Sequence, residues 1–180
     1  MKAKVVEVGP RDGFQNVKSF IPTENKIKII DGLVKAGIKK IQITSFVSEK
    51  AIPQMRDAPR IAEAVLGAYE GVDFFALVPN FYGAKAAVAA GLKEISPVIS
   101  LSESHNKANV KRTRDKSIEE LKRIRQSFPD VRITQDIACV FGCPFEGEMP
   151  IQDLVDLVGR VKETGINAFT LCDTVGMAYP

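Results

Sequence analysis

Apolar, β-branched runs recur along the chain, and each is followed by turn residues and then by a stretch whose apolar positions fall at helical spacing. The pattern predicts six strands, over residues 4–8, 40–44, 74–78, 94–99, 131–139 and 168–171. Between them, a first helix begins at Thr23 behind Pro22, carries Ile27, Ile30, Leu33 and Val34 on one side, and stops at Gly37. Asn80 is placed to cap an alanine-rich helix that ends at Gly91, and residues 59–68 read as a further helix. Ser117 and Glu120 have capping-box spacing ahead of Leu121 and Ile124. Pro150 opens a last helix, with Ile151, Leu154, Val155, Val158 and Val161 expected inward and Gly165 at its end.

Strands that alternate with helical crossovers are parallel, and parallel strands are buried on both faces, which suits near-continuous apolar runs. A doubly wound sheet calls for a glycine-rich phosphate turn after its first strand, whereas this turn reads Gly9-Pro10-Arg11-Asp12-Gly13. A (β/α)₈ TIM barrel fits better, because that architecture gathers its polar site residues at the C-terminal ends of the strands. Arg11 and Asp12 follow the first strand, Gln42 and Thr44 lie on the second, Asn80 follows the third, His105 the fourth and Asp173 the sixth. A whole barrel takes about 250 residues. Residues 1–180 are therefore expected to form an incomplete barrel of about six βα units, one partial catalytic domain cut from something longer.

Composition narrows the field of partners. A net charge of +3, from 25 basic residues interspersed among 22 acidic ones, is too small and too mixed for the basic stripe that a phosphate backbone requires. Nucleic acid is not an expected partner. No apolar run reaches the ~18 residues of a membrane span, and no leader pattern opens the chain, so a cytoplasmic protein is expected, with no membrane partner. Cys139, Cys143 and Cys172 read as reduced thiols. The C-x₃-C spacing of the first two has no second Cys or His pair to complete a zinc site. Lys107, Lys111, Arg112 and Arg114 form a basic cluster whose default is a solvated face, with contact to a CoA phosphate as the alternative.

The segment Val6-Glu7-Val8-Gly9-Pro10-Arg11-Asp12-Gly13-Phe14-Gln15-Asn16 resembles the first-strand motif of the 3-hydroxy-3-methylglutaryl-CoA lyases. Further runs match in the same order: Thr44-Ser45-Phe46-Val47-Ser48, Pro53-Gln54-Met55, Leu77-Val78-Pro79-Asn80, Gly142-Cys143-Pro144-Phe145-Glu146-Gly147 and Leu171-Cys172-Asp173-Thr174-Val175-Gly176. The resemblance spans essentially the whole chain and implies a metal-dependent carbon–carbon lyase. Its reaction is the retro-aldol cleavage of 3-hydroxy-3-methylglutaryl-CoA to acetoacetate and acetyl-CoA, and its partner is an acyl-CoA substrate. By resemblance Asp12 is a carboxylate ligand for a divalent metal, Mg²⁺ or Mn²⁺, and Arg11 holds the developing enolate oxygen. Gln42 and Asp173 join them as catalytic positions, and Glu7, Gln15 and His105 as substrate contacts. Further metal ligands are expected beyond residue 180, and a homo-oligomer is compatible with the family.

One departure stands out. The lyases carry a glutamate where this chain has Gln42, which can exchange hydrogen bonds but cannot act as a carboxylate acid or base. The departure keeps two other readings open: a related condensing or carboxyltransferase-like enzyme acting on another acyl-CoA or 2-oxo acid, and a non-catalytic barrel fragment that binds ligand or self-associates.

Overall fold

A computed structural model describes residues 3–179. Its strands are β1 (Lys40–Ser45), β2 (Asp73–Val78), β3 (Glu94–Ser100), β4 (Arg132–Ala138) and β5 (Ala168–Leu171). They lie side by side in sequence order in one parallel sheet. The helices are α1 (Thr23–Lys35), α2 (Ala58–Val65), α3 (Phe81–Ala89), α4 (Glu103–Val110), α5 (Arg114–Ser127) and α6 (Ile151–Lys162). This is the expected α/β alternation, with five strands in place of six. None of the described helices is long and apolar enough to cross a membrane.

Two compact units divide the chain, Met1–Val78 with Tyr82–Ile95 and Pro79–Phe81 with Ser96–Pro180. In the first, β1 is buried from Ile41 to Ser45 on both faces, as a parallel strand covered by helices should be. It pairs with β2 in parallel register, Ile41 opposite Phe74, with an irregularity between Gln42 and Thr44. Ile30, Ile41, Ile43, Ile61 and Val65 are each at most 1% exposed, and burying such a side chain is worth about 1.5–3 kcal/mol. The predicted strand over residues 4–8 is corrected to a single parallel bridge between Glu7 and Ile41. Only Glu7 finds the ladder, donating its N–H to Lys40 O at 3.0 Å and accepting from Gln42 N–H at 2.8 Å, while Val5, Val6 and Val8 stay exposed.

In the second unit, β4 and β5 pair in parallel register, Asp136 opposite Thr170. Three local expectations are corrected there. Ser117 lies inside α5, whose cap is Thr113; the Ser117 hydroxyl instead accepts from Asn106 Nδ2 and Arg112 Nε. The segment holding His105, in which the sequence pattern predicts no helix, is α4, capped by the Ser102 hydroxyl on His105 N–H at 3.0 Å. Along α6 the buried stripe is Leu154, Leu157 and Val161, an i, i+3, i+7 set, and Ile151 and Val155 face outward.

Candidate active site

The sequence after Glu7 turns sharply because it must hold one backbone carbonyl with two amides. Arg11 N–H and Asp12 N–H both donate to Val8 O, at 3.0 and 2.7 Å, at the head of a π-helical turn over Gly9–Gly13 in which Phe14 N–H reaches back to Gly9 O. Such turns are rare and cluster at functional sites. Glu7 folds back to accept from Gly9 N–H at 2.6 Å, and a side chain at Gly9 would begin 2.9 Å from that carboxylate oxygen, so it would push the Glu7 carboxylate aside.

The turn presents Arg11. Its Nε donates to Gln42 Oε1 at 2.6 Å, and its Nη1 reaches Asp12 Oδ1 at 2.6 Å. Gln42 is 1% exposed, on β1, so one edge of the guanidinium is anchored to a buried strand. The Arg11 side chain is 16% exposed, and its Nη2 is uncommitted among the described residues. A rigid cationic fork with one free corner is suited to holding an oxygen that gains negative charge. Gln15 Nε2 also donates to Asp12 Oδ1, at 3.0 Å, leaving Oδ2 of that half-exposed carboxylate open.

Glu7, Arg11, Asp12, Gln15 and Gln42 are thus brought together within the first unit. His105 and Asp173 lie in the second, in separate networks. His105 Nδ1 pairs with Ser100 Oγ at 2.7 Å at the end of β3, and burial lowers its pKa from the ordinary 6.5. Asp173 uses both oxygens on its own loop, Oδ1 accepting from Met177 N–H at 2.9 Å and Oδ2 from Ala178 N–H at 3.0 Å. The Ala178 and Met177 amides hold its carboxyl below the usual range.

Cys139 and Cys143 are buried, and Cys172 is partly exposed. Burial pushes Cys139 up to about 11. It acts the same way on Cys143, where hydrogen bonds from Ser102 and from the Phe145 and Glu146 amides outweigh it and the net shift is downward. Within the basic cluster Arg114 Nη1 donates to Leu101 O at 2.7 Å and Arg112 to Pro79 O, while Lys107 and Lys111 stay exposed, Lys111 donating to Ala108 O.

Metal chemistry can be tested on the donors. Among the described residues no group of three His, Cys, Asp or Glu side chains is arranged to hold an ion. Asp12 is one carboxylate, with one oxygen already shared by Arg11 and Gln15. By themselves these residues do not make a divalent-metal site, which needs about six oxygen donors.

Sequential parallel strands, with a charged turn and an amide beside the first of them, place the chain in the α/β-barrel class, of whose barrel it covers part. The chain belongs to the HMGL-like family, whose model matches residues 2–180. Enzymes of that family depend on a divalent metal. Hydroxymethylglutaryl-CoA lyase YngG of Bacillus subtilis is 39% identical over 99% of this chain and 60% of its own length. The mitochondrial hydroxymethylglutaryl-CoA lyase of Bos taurus is 37% identical over 99% of this chain and 55% of its own. The structure of an HMG-CoA lyase from A. baumannii, in complex with coenzyme A and 3-methylmalate, matches with a TM-score of 0.93 at 36% identity, over 99% of this chain and 60% of that one. The chain therefore spans little more than half the length of the relatives it matches.

Proposed function

We propose that this chain forms part of a carbon–carbon lyase that cleaves 3-hydroxy-3-methylglutaryl-CoA to acetoacetate and acetyl-CoA. The observation that carries the reading is Arg11, held by Gln42 and Asp12 with Nη2 left open. The tertiary hydroxyl gives its proton to a base and becomes the ketone of acetoacetate as the bond between the two carbons breaks. The electron pair passes to the acetyl-CoA carbon, the charge spreads to the thioester oxygen, and that carbon then takes up a proton. The free corner of Arg11 holds the thioester oxygen, and the fork needs no reorganisation because two buried or half-buried partners already fix it.

Asp12, Gln42 and Asp173 complete the catalytic set in this reading, and Glu7, Gln15 and His105 meet the substrate. Mg²⁺ or Mn²⁺ is the metal it calls for, with Asp12 as a ligand and the others drawn from outside the described residues. The acyl-CoA partner is supported by the coenzyme A bound to the A. baumannii relative, and a cytoplasmic setting by three free cysteines. The uncharged Gln42 supports a second reading, a related enzyme acting on another acyl-CoA or 2-oxo acid.

The test is acetoacetate release from 3-hydroxy-3-methylglutaryl-CoA with Mg²⁺ or Mn²⁺, by this chain and by a polypeptide extended through a seventh and eighth βα unit. The expected result is activity in the extended form only. An extended form that binds the thioester without releasing acetoacetate moves the function to the second reading.

A further inference from the structure

The run Pro53-Gln54-Met55 has no part in the chemistry above, yet Gln54 is 5% exposed and spends its whole amide on one stretch of backbone. Its Oε1 accepts from Ile21 N–H at 3.1 Å, and its two Nε2 hydrogens go to Val17 O at 2.8 Å and to Ser19 O at 2.5 Å. The stretch it holds, residues 17–21, has no regular secondary structure, and residues 17–19 are exposed. A buried side chain is thus tethering a surface segment, and that segment hangs directly from the Arg11–Asp12 turn. Val17 N–H donates to Phe14 O at 3.0 Å, and Asn16 Nδ2 to Asp12 O at 2.9 Å.

Gln54 is itself fixed. Lys26, 1% exposed, donates to Gln54 O and to Asp57 Oδ1 at 2.8 Å, and Thr23 Oγ1 donates to Asp57 Oδ2 at 2.9 Å. The next residue reaches the strand of Gln42, since Thr44 Oγ1 lies 3.6 Å from Met55 Sδ. Both the segment behind Arg11 and the strand in front of it are therefore tied to one short helix, Pro53–Met55.

We propose that Gln54 is a positioning residue, which clamps residues 17–21 so that the Arg11–Asp12 turn stands in register with Gln42. The consequence for turnover rests on the lyase reading; the clamp itself does not. Glutamine is required because two donors and one acceptor must act together. A glutamate of the same shape would set an oxygen against the two carbonyls it now serves.

Native-state amide exchange in dilute denaturant tests the clamp without any assay of activity. In the unaltered chain, the amides of Asp12, Val17 and Ile21 are expected to open together, below the free energy at which Ile43 opens. Independent opening of Asp12 and Ile21 overturns the proposal. Gln54→Glu is expected to speed exchange at those three amides at least tenfold while Ile43 and Ala62 stay within twofold. A uniform rise, or none at Asp12, makes Gln54 an ordinary structural residue and also overturns it. If Gln54→Glu does not fold, the measurement on the unaltered chain decides alone. In an extended, active form, Gln54→Glu should lower kcat at least tenfold with KM within twofold. An extended form inactive before substitution counts against the lyase reading and leaves the exchange result standing.

Discussion

Arg11 and Gln42, thirty-one residues apart in sequence, are joined by a hydrogen bond of 2.6 Å from Nε to Oε1, so a buried, uncharged amide is the partner that aims the guanidinium. The arrangement gives a neutral support to a charged fork and leaves the arginine's positive charge to be balanced by Asp12 alone within this network.

Arg11→Lys should lower turnover of the extended form by about 10²–10³, the usual loss when one preorganised donor to a developing oxyanion is removed. An ammonium cannot reach Gln42, Asp12 and a substrate oxygen in one plane. Steady-state rates and a far-UV spectrum separate lost chemistry from lost fold; unchanged kcat removes Arg11 from the mechanism.

Gln42→Glu should raise acetoacetate release in the extended form, because a carboxylate there restores a proton-transfer group and strengthens the field around the metal. The measurement is kcat for the two forms on 3-hydroxy-3-methylglutaryl-CoA. No gain favours an enzyme for a different acyl substrate, where an added charge beside an anionic ligand harms binding.

The 180-residue chain should bind Mn²⁺ no more tightly than about millimolar, since a lone carboxylate leaves most of the ion's shell to water. In the extended form Asp12→Ala should abolish metal-dependent binding. Calorimetry or manganese spin resonance reads both, and micromolar affinity in the short chain would show a site that Asp12 alone cannot explain.

His105 is held below its ordinary pKa of 6.5 by burial, so the folded chain favours the neutral ring. An unfolded chain takes up the proton first as pH drops, and the stability linked to this residue is therefore full above pH 6.5 and lost as pH falls through the folded value. Urea midpoints at pH 7.5 and about one unit below the ordinary value should differ less in His105→Gln than in the unaltered chain. Equal differences would mean that the ring titrates as if in water.

Lys26 and Asp57, 1% and 5% exposed, form a buried ion pair at 2.8 Å. Lys26→Met should cost about 3–5 kcal/mol, because it strands a buried carboxylate, and adding Asp57→Leu should return part of the loss. Chemical denaturation of the three forms checks the order, and a loss under 1 kcal/mol would place the pair in contact with water.

The sequence by itself determined the βα alternation, the positions of β1 to β5 within a few residues, and the family, because apolar periodicity and the Gly-Pro-Arg-Asp-Gly run are local in the chain. It also brought Glu7, Arg11, Asp12, Gln15 and Gln42 forward together with His105 and Asp173; the first unit joins the first five, and the last two lie in networks of their own. Only the tertiary structure decided which polar groups find partners. Residues 4–8 have strand composition but gain a single bridge, since a strand exists only where a neighbour supplies its ladder. Thr113 rather than Ser117 caps α5, because a hydroxyl caps whichever amides the fold leaves bare beside it. Ile151 and Val155 share the helical period of Leu154 and Leu157 yet stay exposed, for periodicity marks a stripe and packing chooses its centre. Lys26 and Gln54 look like surface residues in sequence, and become buried supports because partners far along the chain, Asp57 for one and the backbone of residues 17–21 for the other, satisfy every polar atom that burial strips of water.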